Sequence, residues 1–332
     1  RVSLGSTSSL LQLAWQFFKS FAQVLESACA ATVKAQNINP RHIGIVANLR
    51  TGEVASIVSL PDFEPKRIQD PNSENMKNHA VSSVYYPGSI SKMLTIAMAI
   101  QNGLPLEKTF KVDVAIPVDK KFSLKDEHVR KSYLKPSEIL AFSSNVGSVL
   151  ILEEYIGFTK QRKYLEEIGA FTPPKLELSP FEIGTPIYNS KAWPKSTHYT
   201  ASYGYGFSLS PIHFTALARS VLGTGRKSNL TFLKDGLKNE DAGQVIFSKE
   251  TILKTQELLR EVVRVGTAKR ANVNGYDICG KTSTSLKYDS QKKVWTNQNK
   301  MVSFFFFFPC VNPRYIIYIG FDEPDKTEKD RE

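Results

Sequence analysis

Pro87-Gly88-Ser89-Ile90-Ser91-Lys92-Met93-Leu94-Thr95-Ile96-Ala97-Met98-Ala99-Ile100 is the stretch on which the fold turns. Pro-Gly stops extended chain, and the apolar run behind it predicts a mostly buried helix with Ser89 at its start. Residues three apart in a first turn share a face, so Lys92 lies beside Ser89. Unpaired backbone N–H groups and the positive end of the helix dipole also meet the Ser89 hydroxyl there. A hydroxyl is a poor nucleophile until a base takes its proton, and a lysine with a pKa depressed by burial can be that base. Ser-x-x-Lys recurs at Ser132 and Ser290, but neither opens an apolar helix. Taken alone, Ser89 reads more readily as an N-cap beside a solvated lysine.

Two further groups bear on the same chemistry. Ser143-Ser144-Asn145 sets a second hydroxyl two residues from a carboxamide, a pair able to relay a proton and hold a substrate amide. Ser-x-Asn also occurs at Ser73-Glu74-Asn75 in a polar loop, and in isolation a helix break explains Ser143 as well. Gly280-Lys281-Thr282-Ser283-Thr284 sits on a predicted strand, where Lys281 and Ser283 face one way and Thr282 and Thr284 the other. A cation flanked by hydroxyls suits a substrate carboxylate, and an edge strand offers N–H groups to a developing oxyanion.

Outward from these, HIGIVAN at 42–48 and VASIVSL at 54–60 flank an Arg-Thr-Gly turn and predict a hairpin. Residues 10–34 have helical periodicity, as do 136–155, 161–168, 212–222 and 249–265. Residues 62–78 and the Pro-, Ser- and Thr-rich 171–200 read as loops. Strands return at 276–284, 302–308 and 315–321, and the apolar run 303–308 reads as a strand buried on both faces. The order is a helix and two strands, a helical middle, then three strands. That is α+β, a sheet built from both chain ends around a helical insert.

Composition narrows the classes. The chain has 332 residues, 41% of them hydrophobic, enough to build a core without metals or disulfides. Its three cysteines, Cys29, Cys279 and Cys310, have no metal-ligand spacing and read as buried thiols. The net charge of +11 suits an anionic partner, but no basic block or aromatic-interleaved RNA signature accompanies it. No run of about eighteen apolar residues is present to span a membrane, and no signal-peptide cleavage pattern appears.

Each motif is weak alone, but Ser-x-x-Lys, Ser-x-Asn and Lys-Thr-x in this order form the triple signature of penicillin-recognising serine enzymes. Arg50-Thr-Gly-Glu-Val-Ala, Pro61-Asp-Phe-Glu-Pro, Tyr86-Pro-Gly-Ser, Gly204-Tyr-Gly-Phe-Ser-Leu-Ser-Pro, Gly266-Thr-Ala and Asn312-Pro-Arg-Tyr through Asp322-Glu-Pro agree with it. Together they resemble class B penicillin-binding proteins, and the septal, cell-division transpeptidases above all. The resemblance implies a transpeptidase domain over residues 1–324, of the serine β-lactamase-like fold. Its sheet would come from about 1–70 and 270–324 and its helical insert from about 80–265. Residues 325–332 (DKTEKDRE) would be a disordered charged tail.

The resemblance further implies that Ser89 attacks the penultimate D-Ala carbonyl of a peptidoglycan stem peptide and that Lys92 takes its proton. Ser143 would pass a proton to the leaving amine, and Asn145 would place Lys92 and the substrate amide. Lys281, Thr282 and Thr284 would hold the substrate carboxylate, in a substrate-binding strand that includes Ser283. The backbone N–H groups of Ser89 and Thr284 would form the oxyanion hole. β-Lactams would acylate Ser89, and no metal or cofactor is implied. Division proteins including a glycosyltransferase are the implied partners, with no nucleic acid among them. The implied location is the periplasmic side of a bacterial inner membrane, through an N-terminal anchor preceding this chain. Members of the family usually carry Gly where this chain has Ser283, and a further helix after the Asp-Glu-Pro strand. A Ser283 side chain directed into the cleft would obstruct substrate; one facing away would not. A catalytically impaired division scaffold, or a hydrolase such as a β-lactamase or D,D-carboxypeptidase, are the alternatives on the same fold.

Overall fold

HIGIVAN and VASIVSL lie in the first two strands of an antiparallel sheet whose other three strands come from the far end of the chain. The computed structural model describes residues 41–324 except 65, 69, 71–72, 119–121, 179–181, 237–242 and 290–293; for 288–289 and 294–299 it describes backbone alone. The helix read at 10–34, Cys29, Ser290 and the tail at 325–332 lie outside the described residues.

The strands are β1 (Arg41–Asn48), β2 (Val54–Leu60), β3 (Cys279–Asp289), β4 (Val294–Phe308) and β5 (Tyr315–Asp322). They lie in the order β2-β1-β5-β4-β3, every neighbouring pair antiparallel. The β1–β2 turn forms because Asn48 Oδ1 accepts the N–H groups of Arg50 and Thr51 and Gly52 takes φ +76. Register runs from Arg41 opposite Asp322 to Asn48 opposite Tyr315. The fold class is the one read from the sequence: a central antiparallel sheet from both chain ends, with helices between. β3 and β4 extend beyond the predicted spans, because their added residues are largely polar and carry no apolar alternation. The phenylalanine run on β4 is not buried on both faces. Phe305 and Phe307 are fully buried, whereas Phe304 and Phe306 stay partly exposed on the opposite face, stacked 4.9 Å apart.

The longer helices among the described residues are α1 (Lys92–Gln101), α2 (Pro136–Phe142), α3 (Asn145–Ile151), α4 (Phe158–Glu167), α5 (Lys195–Ser202), α6 (Pro211–Arg219) and α7 (Lys249–Arg264). α1 is buried from Lys92 to Ile100, so it runs through the core as its apolar sequence requires. α7 is one-sided: Ile252, Thr255, Leu259, Val262 and Val263 face inward, and it packs on α1, α2 and β3. Truncating fully buried Leu259 to Ala would cost about 2–5 kcal/mol. α6 starts at Pro211 behind Ser210, whose Oγ accepts the His213 N–H, and it lays Phe214 edge-on against Phe305.

Three further expectations are corrected. The helix read at 136–155 is broken, because Ser143 takes φ +62 and closes α2 before α3 begins. The loop read at 171–200 gives way to α5, which Pro194 introduces as the residue before its first turn. Cys279 and Cys310 are not thiols but a disulfide, with Cα atoms 5.4 Å apart. Their separation of 31 residues conceals a short distance across the β3–β4 pair: Cys279 faces Phe307 in register, and the Cys310 N–H donates to Asp277 O.

Candidate active site

Ser89 lies in a single 3-10 turn, Gly88–Ser91, that runs straight into α1, and it is partly exposed. The turn is tightly held. Gly88 has φ +55, and its N–H donates to the carbonyl of Gly204, which itself takes φ +97. A Cβ on Gly204 would lie 2.0 Å from the Gly88 carbonyl oxygen, so only glycine fits there. One turn on, Lys92 is wholly buried and its Nζ lies 3.1 Å from Ser89 Oγ.

The helix break at Ser143 serves this lysine. A non-glycine residue at positive φ costs of order 1–3 kcal/mol and persists only where surrounding contacts enforce it. Here both oxygens of Ser143 meet Lys92: the carbonyl accepts at 2.6 Å and Oγ lies at 3.0 Å. Asn145 Oδ1 accepts from the same nitrogen at 2.7 Å. Ser143 Oγ in turn donates to Ser89 Oγ at 2.9 Å.

Lys281, on the buried face of β3, is also fully buried and donates to Ser143 Oγ at 3.1 Å and to the Thr282 carbonyl at 3.0 Å. Burial drives its pKa down to about 7. Burial likewise holds Lys92 well below the ordinary lysine value, with repulsion from Lys281 adding to it and Asp126 opposing it. A neutral Lys92 amine has two N–H groups, matched by the Ser143 carbonyl and Asn145 Oδ1. Its lone pair is then free for the Ser89 hydroxyl. The geometry is that of a base beside a nucleophile, with a second hydroxyl bridging to a second lysine.

Thr284 is exposed and lines a cleft of about 330 Å³ with Ser89, Ser143, Asn145, Tyr205 and Leu286. Tyr205 Oη accepts the Leu286 N–H at 3.2 Å, so that amide points off the free edge of β3. Two residues back, the Thr284 N–H points the same way, into the cleft. Thr282 Oγ1 donates to Thr267 Oγ1 at 2.6 Å. Ser283 does not enter the cleft: it is 4% exposed and its Oγ donates to the Pro87 carbonyl at 2.9 Å.

The structure thus gathers Ser89, Lys92, Ser143, Asn145, Lys281 and Thr284 at one place, with Thr282 alongside and Ser283 behind. Three further residues had no assigned role in the sequence. Thr267 and Tyr205 fall inside the Gly-Thr-Ala and Gly-Tyr-Gly stretches, but nothing in their spacing marked them. Asp126 had no signal at all: its carboxylate accepts the N–H groups of Asn145 (2.7 Å) and Val146 (3.1 Å) and the Ser144 hydroxyl, capping α3. Among the described residues there is no cluster of three or more His, Cys, Asp or Glu able to hold a metal, and no helix long and apolar enough to cross a membrane.

Residues 43–332 match the family model described as the penicillin binding protein transpeptidase domain. The chain belongs to that family. It is 29% identical over 302 residues to the probable peptidoglycan D,D-transpeptidase FtsI of Caulobacter vibrioides, covering 87% of this chain and 50% of that protein. It is 28% identical to stage V sporulation protein D of Bacillus subtilis, covering 86% and 46%. The chain spans about half the length of the curated relatives it matches. Its fold is that of the transpeptidase domain of Burkholderia pseudomallei penicillin-binding protein 3, with a TM-score of 0.78 at 23% identity, covering 92% of this chain and 87% of that one. Penicillin-binding protein 3 of Mycobacterium tuberculosis in complex with aztreonam gives a TM-score of 0.76 at 24% identity, covering 86% and 67%. The family resemblance drawn from the motifs is therefore borne out.

Proposed function

We propose that the chain is the catalytic domain of a class B, septal peptidoglycan D,D-transpeptidase working through an acyl-enzyme on Ser89. The observation that carries this is the continuous contact from Lys281 through Ser143 and Ser89 to Lys92. It supplies a nucleophile, a base with a depressed pKa and a second hydroxyl for proton return.

In this reading Ser89 Oγ bonds to the penultimate D-Ala carbonyl carbon of a stem peptide while its proton passes to Lys92. The oxyanion forms against the N–H groups of Ser89 and Thr284, each such donor being worth roughly 3 kcal/mol in the transition state. The C–N bond then breaks, and the terminal D-Ala leaves with a proton delivered through Ser143. Protonated Lys281, with Thr282 and Thr284, receives the substrate carboxylate. An amine from a neighbouring stem peptide attacks the Ser89 ester, forming the cross-link and freeing the serine. A β-lactam takes the same first step, but its opened ring stays attached and blocks the second.

The Cys279–Cys310 bridge supports an oxidising compartment, as the periplasmic side of the inner membrane would be. The net charge of +11 suits the anionic polymers and membrane surface found there. Other division proteins, a glycosyltransferase among them, are the partners this placement calls for.

Fluorescent-penicillin labelling of the native chain, beside Ser89→Ala and a heat-denatured control, tests the reading. Stable label on the native chain alone supports it. A folded chain that takes no label overturns it, and label released within seconds indicates a hydrolase instead.

A further inference from the structure

Ser283 stands where the family pattern has glycine, and its hydroxyl makes a connection that glycine has no atom to make. Side chains alternate along β3: Thr284 opens to the cleft, while Lys281, Ser283 and Ser285 are buried on the face toward the turn that carries Ser89. Ser283 Oγ donates to the carbonyl of Pro87, two residues before Ser89, at 2.9 Å. The approach is close. A Cβ built on Gly88 would lie 2.4 Å from Ser283 Oγ and 3.1 Å from Ser285 Cβ, so the hydroxyl fills the gap between strand and turn. On the other side the Gly88 N–H donates to the Gly204 carbonyl at 3.0 Å. The turn is held between these two bonds.

We propose that Ser283 is a positioning residue: its hydrogen bond to the Pro87 carbonyl sets the spacing between the nucleophile turn and β3. Those two elements supply the backbone N–H groups of Ser89 and Thr284. Fixed dipoles stabilise an oxyanion only when both are aimed at its position, and donors from separate elements are placed only as well as the elements themselves. The inference rests on the Ser89 acyl-enzyme reading and deepens it. It also accounts for tolerance of a serine here, since the side chain leaves the cleft unobstructed.

The test compares the native chain with Ser283→Ala and Ser283→Gly. Rapid mixing with a chromogenic β-lactam separates initial binding from acylation, and infrared spectroscopy reads the acyl-enzyme carbonyl. In both variants initial affinity should stay within about twofold and acylation should slow about tenfold, less than the roughly 10²–10³ for outright loss of a donor. The ester carbonyl stretch should move to higher frequency, because misaligned donors polarise it less. A change in thermal stability alone would leave that frequency where it was. Ser283→Gly, the residue usual in the motif, carries the same readings should Ser283→Ala fold poorly. Native acylation with variants of unchanged rate and frequency overturns the role of Ser283 alone, and so does slower acylation at unchanged frequency. A native chain that is not acylated, like Ser89→Ala, overturns the acyl-enzyme reading and this inference together.

Discussion

Lys92 and Lys281, both fully buried, converge on a single hydroxyl: their Nζ atoms lie 3.0 and 3.1 Å from Ser143 Oγ. Two ammonium groups so placed repel, and burial together with that repulsion holds the Lys92 pKa well below the ordinary lysine value. In the proposed acylation a neutral Lys92 would serve as the base and a charged Lys281 would draw the substrate carboxylate, and repulsion between the two disfavours both being charged at once.

This pairing predicts a bell-shaped pH profile for the second-order acylation constant, which reports groups of the free enzyme. The rate rises with pH as Lys92 loses its proton and becomes able to accept one from Ser89. It falls as pH rises through about 7, where Lys281 loses the charge that attracts a carboxylate. Stopped-flow acylation by a carboxylate-bearing penicillin between pH 5 and 9 measures both limbs. Lys281→Arg, charged throughout, should lose the alkaline limb; a limb unmoved in that variant would assign it to another group.

Asp126 offers a separate test of the same electrostatics. It is the group that raises the Lys92 pKa against burial and Lys281, so Asp126→Asn should shift the acid limb to lower pH. Asp126→Ala also strips the Asn145 and Val146 N–H groups of their acceptor, costing about 1–3 kcal/mol in urea unfolding. An acid limb that stays in place in both variants would remove Asp126 from the site.

The Cys279–Cys310 bridge ties the start of β3 to the residues just past β4. Closing a loop of 31 residues should stabilise the fold by about 3–4 kcal/mol. Cys279→Ser with Cys310→Ser, or reduction, should lower the denaturation midpoint accordingly. Two fewer thiols should titrate in the unreduced denatured chain than after reduction, and equal counts would refute the bridge.

These cysteines mark where sequence reading stopped. Patterns within one segment were legible: the hairpin from its alternation and turn, the buried α1 from its apolar run, Ser89 and Lys92 from their one-turn spacing. Lys281 and Ser283 sharing the face opposite Thr284 followed from strand periodicity alone. What could not be read depends on which segments meet. Cys279 finds Cys310 only through the β3–β4 register, and Asp126 reaches α3 from a polar stretch with no periodicity. Ser283 required the structure because period two gives its face but not what lies against that face.

Gly204 and Gly103 provide a matched pair for the claim that the nucleophile turn is clamped. Both have positive φ, +97 and +90, so alanine is strained at either by about 1–2 kcal/mol. A Cβ on Gly103 has nothing within 4 Å, whereas one on Gly204 would lie 2.0 Å from the Gly88 carbonyl oxygen. Gly103→Ala should therefore lower stability modestly and label with penicillin at the native rate. Gly204→Ala must push the turn away from its partner, displacing Ser89 from Lys92 and its N–H from that of Thr284. Labelling should fall at least tenfold in a chain that remains folded by circular dichroism, since moving a reacting group by about 1 Å can cost 10²-fold. Native labelling in Gly204→Ala would show that the turn shifts without consequence, and the clamp would carry no catalytic weight.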